Sequence, residues 1–456
     1  MWVTPMERRD RSNKVSPKET PAGLGTGKAV PLPLMRLKFS AKENTDRRYV
    51  NLMCQLKVPL LSRAYHALDA RKAVGPDGMT KACYGKDLEA NLMDLETRLH
   101  RGSYRPQPAR QVLIPKADGK TRPLAISNLE DKIVQRAIAY VMEALYEPLF
   151  IDTSLGFRPK KGCHQAMRRV YRLLKDGHRP QVVDVDIEKF FDSMNHERMM
   201  EFLQKRISDP RFLRLMNKLL RAGIMIDGRE IGNEIGSPQG SIVSPFLANI
   251  FLHYVLDLWF KEHFAGYHQQ MVRYADDVVF CFHDQDEAEG FLPKLKERLQ
   301  AYQLTVNESK TKIVNFGNKA HNVFHFLGFT FYWGKTREGK TLLKLKTQTE
   351  KLRAKILAFK EWIKGARAKH RTGVLWKKAA EKIRGHYAYY GVTFNSRLTL
   401  FYKICVQLLF KWLNRRSQKR SYSWEGFLTR LKAHPLPKPW GYSLLSLNQG
   451  VFSYVI

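Results

Sequence analysis

Cysteine is scarce in this chain of 456 residues. No C-x-x-C pair occurs among Cys54, Cys83, Cys163, Cys281 and Cys405, which argues against a disulfide framework and a cysteine-rich zinc site. Apolar runs stay short of the ~18 residues that a membrane-spanning helix needs, and the N-terminus lacks the apolar region of a secretory signal. We therefore expect a soluble, cytoplasmic protein with no membrane partner.

Acidic residues are also in the minority. The chain has 43 Asp and Glu against 78 Lys and Arg, which gives a net charge of +35. Residues 340–456 alone hold 25 basic and four acidic residues, a net charge of +21. Such an excess is typical of proteins that bind a polyanion, because basic side chains displace the counterions of nucleic acid. The alternative is a basic face that only contacts solvent.

Composition and hydrophobic periodicity divide the chain into five segments. Prolines and scattered charge predict a flexible arm over 1–40, and a mainly helical pattern follows over 41–110. Alternating strand and helix patterns over 111–335 predict an α/β or α+β domain. Amphipathic basic helices predict a helical bundle over 340–415, which leaves a short basic region over 416–456.

Two adjacent carboxylates interrupt the apolar stretch "MVRYADDVVFCF" at residues 271–282. Side chains alternate faces along a strand, so residues 274–277 are better read as the tip of a hairpin. Like charges about 4 Å apart repel by roughly 4 kcal/mol at an effective dielectric of about 20, which favours a cation beside Asp276 and Asp277. A solvated Asp-Asp turn is the alternative.

Further carboxylates lie in "VVDVDIEKFF". Asp184 and Asp186 fall on one face of an apolar strand, so at least one of them should meet a charge or a metal. A salt-bridged core aspartate is the alternative for either. Three carboxylates on two strands are what two-metal nucleotidyl transfer requires, and oxygen ligands suit Mg²⁺.

Ordered motifs connect the chain to a family. "KADGKTRPLAI", "GFRPKKGCHQA", "DIEKFFD", "SPQG", "YADD" and "FLGF" occur in that order, followed by "GHYAYYG" and "RRSQKRSYSW". The sequence resembles a bacterial group II intron-encoded reverse transcriptase and maturase, over about residues 70–439. The resemblance implies an α+β right-hand polymerase with fingers and a palm over 111–335 and a helical thumb over 340–415.

The resemblance assigns roles to individual positions. It implies that Asp186, Asp276 and Asp277 are the catalytic, metal-binding carboxylates. Asp186 is preferred to Asp184 because an aromatic, Phe191, follows it by five positions. Phe191 would be the steric gate that excludes a 2′-hydroxyl, with core packing beside Phe190 as the alternative.

Further roles follow from the same resemblance. The implied nucleotide-binding residues are Lys116, Arg122, Ile187, Phe191, Gln239, Gly240 and Lys310. The implied primer grip is Phe326, Leu327 and Gly328, and the implied RNA-binding residues are Arg158, Arg384, Lys411, Arg415 and Arg416. Arg158 and His164 either contact the template or only cap helices. Lys310 resembles the residue that protonates pyrophosphate, although Lys312 is close by. The tyrosines of "GHYAYYG" could stack on RNA or pack between helices.

The implied activity is RNA-directed DNA polymerisation with two Mg²⁺ ions, for which Mn²⁺ can substitute. The implied partners are a group II intron RNA, an RNA template with a DNA or RNA primer, dNTPs and target DNA, with splicing and retrohoming as the outcome. A bacterial ribonucleoprotein or nucleoid location follows. The cysteine pairs of the family's HNH endonuclease are lacking, so we expect the form without it. The alternatives are a polymerase co-opted by its host for defence or repair and a splicing-only maturase.

Overall fold

The computed structural model describes residues 31–115, 121–226, 229–232, 235–237, 240–266, 269–317, 322–336, 338–416 and 421–439. Among these residues, no helix has both the length and the apolar character that a membrane crossing requires. The described residues combine helices with three antiparallel-rich sheets, as an α+β fold requires.

The helices are α1 (Leu32–Glu43), α2 (Val58–Ala67), α3 (Lys81–Tyr84), α4 (Leu88–Arg101), α5 (Leu129–Tyr146), α6 (Cys163–Leu174), α7 (Phe190–Ser193), α8 (His196–Gln204), α9 (Pro210–Leu220), α10 (Ser244–Leu252), α11 (Leu258–His263), α12 (Gln285–Gln300), α13 (Thr349–Ala366), α14 (Thr372–Tyr390), α15 (Arg397–Leu413) and α16 (Trp424–Ala433). A π-helical turn, His253–Asp257, joins α10 to α11. The strands are β1 (Ala109–Pro115), β2 (Thr121–Ile126), β3 (Gln181–Asp186), β4 (Ile224–Ile226), β5 (Arg229–Ile231), β6 (Gln270–Tyr274), β7 (Asp277–Phe282), β8 (Lys312–Asn315), β9 (Phe324–Phe326), β10 (Phe329–Lys335) and β11 (Thr341–Thr347).

The sheet that carries the candidate carboxylates has the order β6-β7-β3-β8, and every pairing in it is antiparallel. Its inner strand β7 is apolar on both faces over residues 278–282 because both faces are covered. Val278 and Phe280 belong to one core, and Val279 and Cys281 belong to another that extends into the C-terminal helices. The sheet therefore separates two cores, and its end at Asp186 lies between them.

A second sheet, ordered β2-β1-β4-β5, holds the hairpin that was predicted from "QVLIPKADGKTRPLAI". The β1 and β2 strands pair from Arg110↔Ile126 to Pro115↔Thr121. The turn between them lies outside the described residues. Arg122 and Ala125 both lie on strand β2 of this hairpin.

Two predicted boundaries need correction. The flexible arm was placed over 1–40, but α1 begins at Leu32 and buries Leu34 and Ala41 against α5. Pro31 and Pro33 suit this start, because proline is tolerated in the first turn of a helix. The first 30 residues of the predicted arm lie outside the described residues.

The segment predicted to be helical over 340–415 begins with a strand. In β11, Leu343 and Leu345 are buried and alternate with Lys344 and Lys346, a period of two that the high lysine content obscured. Strand β11 pairs along its whole length with β10 and leads directly into α13. The basic helices α13, α14 and α15 then share the second core with the palm sheet.

Candidate active site

The paired carboxylates lie at the tip of a two-residue hairpin, as the sequence predicted. Tyr274 pairs with Asp277 across β6 and β7, and Ala275 and Asp276 form the turn. Ala275 has a φ of 59°, the positive value that the first turn position of a type II′ hairpin requires. The register of β3 and β7 places Asp186 directly opposite Asp277.

A second loop encloses Asp186. The Asn307 N–H donates to the Asp186 carbonyl over 2.8 Å, and the Asp186 N–H donates to Thr311 Oγ1 over 3.3 Å. These bonds hold the loop so that Lys310 Nζ lies 3.0 Å from Asp186 Oδ2. Lys312 instead pairs with Asp184 in the β3–β8 register. The structure thus separates two lysines that the sequence left ambiguous.

The carboxylates disturb one another's titration. The pKa of Asp277 is raised to about 6. Burial is the main cause, followed by the carboxylates of Asp276 and Asp186, while Lys310 and Lys351 lower this pKa. The Asp277 side chain nevertheless keeps an exposed face. Burial also raises the pKa of Asp276, followed by the Asp186 carboxylate, while Arg122 and Arg273 lower it. Burial and Asp277 raise the pKa of Asp184 to about 7. The end of the sheet therefore carries more negative charge than the nearby cations neutralise.

This donor set fits Mg²⁺ in chemistry. Carboxylate oxygens are the ligands that Mg²⁺ prefers, and a divalent cation would relieve the repulsion that raises the pKa values of Asp276 and Asp277. Within the described ranges, no three His, Cys, Asp or Glu side chains are gathered into a ready-made metal site. Asp186 is instead paired with Lys310, an exposed ammonium.

Two of the predicted nucleotide-binding residues, Lys310 and Arg122, lie near the carboxylates. Arg122 is exposed on β2, close enough to lower the pKa of Asp276. Gly240 packs onto the same hairpin with a φ of 114°, and a Cβ there would lie 2.4 Å from the Ala125 carbonyl oxygen. The Ser237 N–H donates to the Phe191 carbonyl over 2.7 Å. Ser237 therefore contacts the segment of Phe191, and Gly240 contacts the hairpin that carries Arg122. Lys116 and Gln239 lie outside the described residues.

The two adjacent phenylalanines have different environments. Phe190 is 2% exposed and packs on Phe251, whereas Phe191 is half-buried at the edge of the core. This difference keeps the gate role of Phe191 open and makes Phe190 the core residue.

Ile187, predicted to bind the nucleotide, is 4% exposed and lies in the core, so its side chain is not available for that role.

The predicted primer grip is the turn of a second tight hairpin. Phe326 pairs with Phe329, and both turn residues have positive φ, 48° at Leu327 and 77° at Gly328, as in a type I′ turn. The Tyr389 hydroxyl on α14 donates to the Leu327 carbonyl over 3.1 Å. Buried Phe326 supports the turn, so only Leu327 and Gly328 reach the surface.

The tyrosines of "GHYAYYG" pack between elements. Tyr387 is fully buried and Tyr390 is 6% exposed, and the Tyr389 carbonyl lies 2.7 Å from His164 Nε2. Helix α14 is thereby joined to α6 and to the hairpin that carries the predicted primer grip. This arrangement favours the packing alternative over stacking on RNA.

One predicted RNA contact is wrong. Arg158 is 7% exposed, pairs with Glu147 at 2.8 Å and donates to the carbonyls of Ile151 and Ser154. Its guanidinium is committed within the protein and is not available to RNA. An isolated arginine in a loop gives no sign of this ion pair at the level of sequence.

The other predicted RNA-binding residues lie on the thumb helices or just after them. Arg384, Lys411 and Arg415 are exposed, and Arg415 also lies over the Trp412 ring at 5.6 Å. Arg416 is half-buried and donates to Thr372 Oγ1 and to the His370 carbonyl. Three of these four cations are therefore accessible to a polyanion.

Sequence reasoning missed a buried polar cluster behind the carboxylate turn. Arg273 and Asp257 are both fully buried and form an ion pair, and Asn249 contacts the same guanidinium. The available signal was the presence of polar residues inside apolar runs, "FLANIFLHYVLDLWF" and "MVRYA". Such residues are rarely buried without a partner.

Residues 114–331 match the family described as "Reverse transcriptase (RNA-dependent DNA polymerase)". Protein YkfC of Escherichia coli (strain K12) is 40% identical over 182 residues, 39% of this chain and 48% of that protein. The group II intron-encoded protein LtrA of Lactococcus lactis subsp. cremoris is 33% identical over 234 residues, 50% of this chain and 39% of that protein.

A fungal relative extends this pattern. An uncharacterized 91 kDa protein in the cob intron of Schizosaccharomyces pombe is 33% identical over 256 residues, 55% of this chain and 30% of that protein. The chain thus spans less than half the length of each of these three relatives.

Proposed function

We propose that the chain is a member of the reverse transcriptase family, which its residues 114–331 match, and that it is related to the group II intron-encoded protein LtrA, to which it is 33% identical over 234 residues. The protein is an RNA-directed DNA polymerase that also binds a group II intron RNA and assists its splicing and retrohoming. Its substrates are dNTPs and a primer on an RNA template, and the intron's target DNA is a further partner. The observation that carries the polymerase assignment is the placement of Asp186 opposite Asp277.

Asp186, Asp276 and Asp277 would hold the divalent metal in this proposal. Two Mg²⁺ ions would supply the charge that activates a primer 3′-hydroxyl and stabilises the leaving pyrophosphate. Arg122 contacts the triphosphate, since a guanidinium binds phosphate oxygens in a bidentate manner. Lys310 donates a proton to the pyrophosphate, and the 3.0 Å contact of its ammonium with the Asp186 carboxylate supports this role.

The RNA-binding part of the proposal rests on the thumb. Accessible Arg384, Lys411 and Arg415 project from a region of net charge +21. Their charge is independent of the palm carboxylates. Polymerisation and intron binding are therefore separable by mutation.

Primer extension on an RNA template tests the polymerase. Wild-type protein should extend a DNA primer with dNTPs and Mg²⁺. Asp276→Asn should abolish detectable extension, because it keeps the shape of the turn but removes a ligand charge worth several kcal/mol to the transition state. Extension by the Asn variant, or none by well-folded wild-type protein, would contradict the proposal.

The intron role is tested on the same preparations. RNA that co-purifies with the protein should be dominated by one structured intron, and Asp276→Asn should bind and splice it near normally. Thermal melting checks that the variant is folded. Co-purified RNA without any intron, from a protein that extends primers, would instead favour a polymerase co-opted by its host.

A further inference from the structure

A buried polar cluster lies directly behind the turn that carries Asp276. Arg273 Nε donates to Asp257 Oδ1 over 2.7 Å, and its Nη2 donates to Asp257 Oδ2 over 2.5 Å. Arg273 Nη1 donates to Asn249 Oδ1 over 3.0 Å. All three residues are fully buried. The guanidinium is thus held in one orientation by two elements, α10 and the π-helical turn that follows it.

The same guanidinium also donates a hydrogen bond to the backbone of the turn. Arg273 Nη1 also donates to the carbonyl of Ala275 over 3.0 Å. Ala275 has the left-handed φ of 59°, which costs of order 1 to 3 kcal/mol for a residue other than glycine and persists only where the surroundings hold it. The Ala275 carbonyl belongs to the peptide bond that leads into Asp276. Arg273 therefore fixes the backbone from which the carboxylate projects.

Gly156 packs closely against the same turn. A Cβ at Gly156 would lie 2.2 Å from the Ala275 nitrogen and 2.8 Å from the Tyr274 carbonyl carbon. Asn249 Nδ2 donates to the Gly156 carbonyl over 2.7 Å, so Asn249 bridges Gly156 and Arg273. The turn thus contacts both Gly156 and the Arg273 guanidinium, and Asn249 is hydrogen-bonded to both of them.

The π-helical turn allows two residues of one helix to reach the same guanidinium. Asn249 and Asp257 are eight positions apart, so a regular α-helix would rotate them about 80° away from a common direction. The wider i to i+5 turn at His253–Asp257 adds less rotation per residue and brings the two side chains back towards one side. Turns of this kind frequently occur at functional sites.

Stability alone does not explain the cluster. Removing an ion pair from water costs several kcal/mol per ion, and apolar residues of similar size often stabilise a core as well or better. His253 lies 3.9 Å from Asp257, but burial lowers its pKa to about 4, so Arg273 is the cation that faces Asp257 at neutral pH. A polar cluster that is costly and wholly buried, yet bonded to the backbone of the turn, points to a role in placing that turn.

We propose that Arg273 and Asn249 are positioning residues, which hold the Ala275–Asp276 turn so that the carboxylates of Asp276 and Asp277 can bind a divalent cation. This inference rests on the proposed polymerase function. Arg273 acts through the Ala275 carbonyl, and Asn249 acts through Arg273 and Gly156.

Arg273→Lys is the first test. Lysine keeps the charge opposite Asp257 but cannot reach Asp257, Asn249 and Ala275 together. We expect the turnover number in primer extension to fall about tenfold or more, and the dissociation constant for Mn²⁺ to rise by a similar factor, as for partners that orient metal ligands elsewhere. Mn²⁺ binding is measured by electron paramagnetic resonance on the full chain, and Asp276→Asn defines the signal that belongs to this site. The dissociation constant for primer and template should stay within about twofold, because the nucleic acid does not contact the buried guanidinium.

Arg206→Lys is the matched control. Arg206 is another buried arginine, 1% exposed, but it donates to the carbonyl of Ala41 in the last turn of α1 and to those of Asn44, Thr45 and Arg47 just after the helix. This control should lower the melting temperature without changing Mn²⁺ affinity or turnover per folded molecule. Gly156→Ala disturbs the same turn without touching the ion pair and should reproduce the defect of Arg273→Lys, which keeps the test valid if the latter does not fold.

The outcomes are distinguishable. Mn²⁺ binding that does not depend on Asp276 in the wild-type protein would contradict the metal role in the proposed function, and with it this inference. Asp276-dependent binding that both Arg273→Lys and Gly156→Ala leave unchanged would overturn only the positioning role. Equal losses in Arg273→Lys and Arg206→Lys would show a general effect of buried arginine on stability and would also overturn it.

Discussion

Lys310 Nζ lies 3.0 Å from Asp186 Oδ2, on the side of the palm where Asp277 faces Asp186. Both side chains are partly exposed, so the pair contributes about 1 kcal/mol or less and is easily displaced by a stronger cation. The ammonium therefore substitutes for part of the charge of a bound metal. It also lies where a proton donor to pyrophosphate would act.

Lys310→Met should separate these two roles. We expect the Mg²⁺ concentration for half-maximal extension to fall several-fold, because the competing ammonium is gone, while the turnover number falls by about tenfold or more for loss of a general acid. Steady-state extension over a Mg²⁺ series measures both. Lys312→Met is the control, since Lys312 pairs with Asp184 and not with Asp186. Equal effects of the two substitutions would contradict the assignment to Lys310.

Phe191→Val should admit ribonucleotides, because removal of the half-buried ring opens space beneath the sugar 2′ position. Single-nucleotide extension with rNTPs and dNTPs measures the change in preference. Phe190→Val is the control: its ring is 2% exposed, so it should lose about 2 to 4 kcal/mol of stability and keep its preference for dNTPs. An active Phe191→Val protein with unchanged preference would show that Phe191 is only a packing residue.

Exposed thumb cations should set the salt dependence of RNA binding. Each phosphate contact that is lost should reduce the slope of log K against log salt by about 0.7 for single-stranded RNA. We expect Arg384→Gln and Lys411→Gln each to show this reduction. Lys86→Gln removes the same charge from an exposed site outside the thumb and should leave the slope unchanged. The thumb assignment fails if all three variants have the same slope.

Asp184 should make stability depend on pH. Its pKa is raised from 3.8 to about 7 on folding, mainly by burial and then by Asp277, so the folded state holds this proton more tightly than the unfolded state. The resulting stabilisation is full below about pH 4 and is lost as the pH rises through about 7.

Asp184→Asn should therefore be more stable than wild type at pH 8, by at least about 1 kcal/mol after allowance for partial solvent access, and the difference should shrink towards pH 4.5. Urea unfolding without divalent cations at both pH values measures it. A constant difference across this range would mean that Asp184 does not titrate in it.

The sequence predicted the parts of the site that depend on local pattern. The apolar flanks of "YADD" required a hairpin, and the alternation in "VVDVD" placed Asp184 and Asp186 on one face. Contacts over long sequence distances were not predictable in the same way. Arg273 finds its partners 16 and 24 residues away, and only through a π-helical turn that no local signal specifies. Arg158 has the local sequence of an exposed basic residue, but its guanidinium pairs with Glu147.

A further long-range contact joins helix α14 to the predicted primer grip. Leu327 adopts a left-handed conformation that is unfavourable for a branched residue, and the Tyr389 hydroxyl holds its carbonyl from α14. His164 in turn contacts the Tyr389 carbonyl, so the tyrosine is itself anchored. A shift of α14 would therefore be transmitted to the turn that we propose as the primer grip.

Tyr389→Phe removes the hydrogen bond to the Leu327 carbonyl, together with the one between the Tyr389 hydroxyl and the Cys163 side chain, and keeps the ring packing on Phe329. We expect the KM for primer and template to rise several-fold and the length of product per binding event to fall, while the rate of the first nucleotide addition changes little because the carboxylates are untouched. Tyr387→Phe is a matched control on the same helix: its hydroxyl is buried and has no hydrogen-bond partner in the part of the chain that the structure describes, so its loss should be neutral or slightly stabilising. Single-turnover extension with a trap for released enzyme separates the two effects. An unchanged product length in Tyr389→Phe, or an equal loss in Tyr387→Phe, would show that the Tyr389 hydroxyl does not support the primer grip.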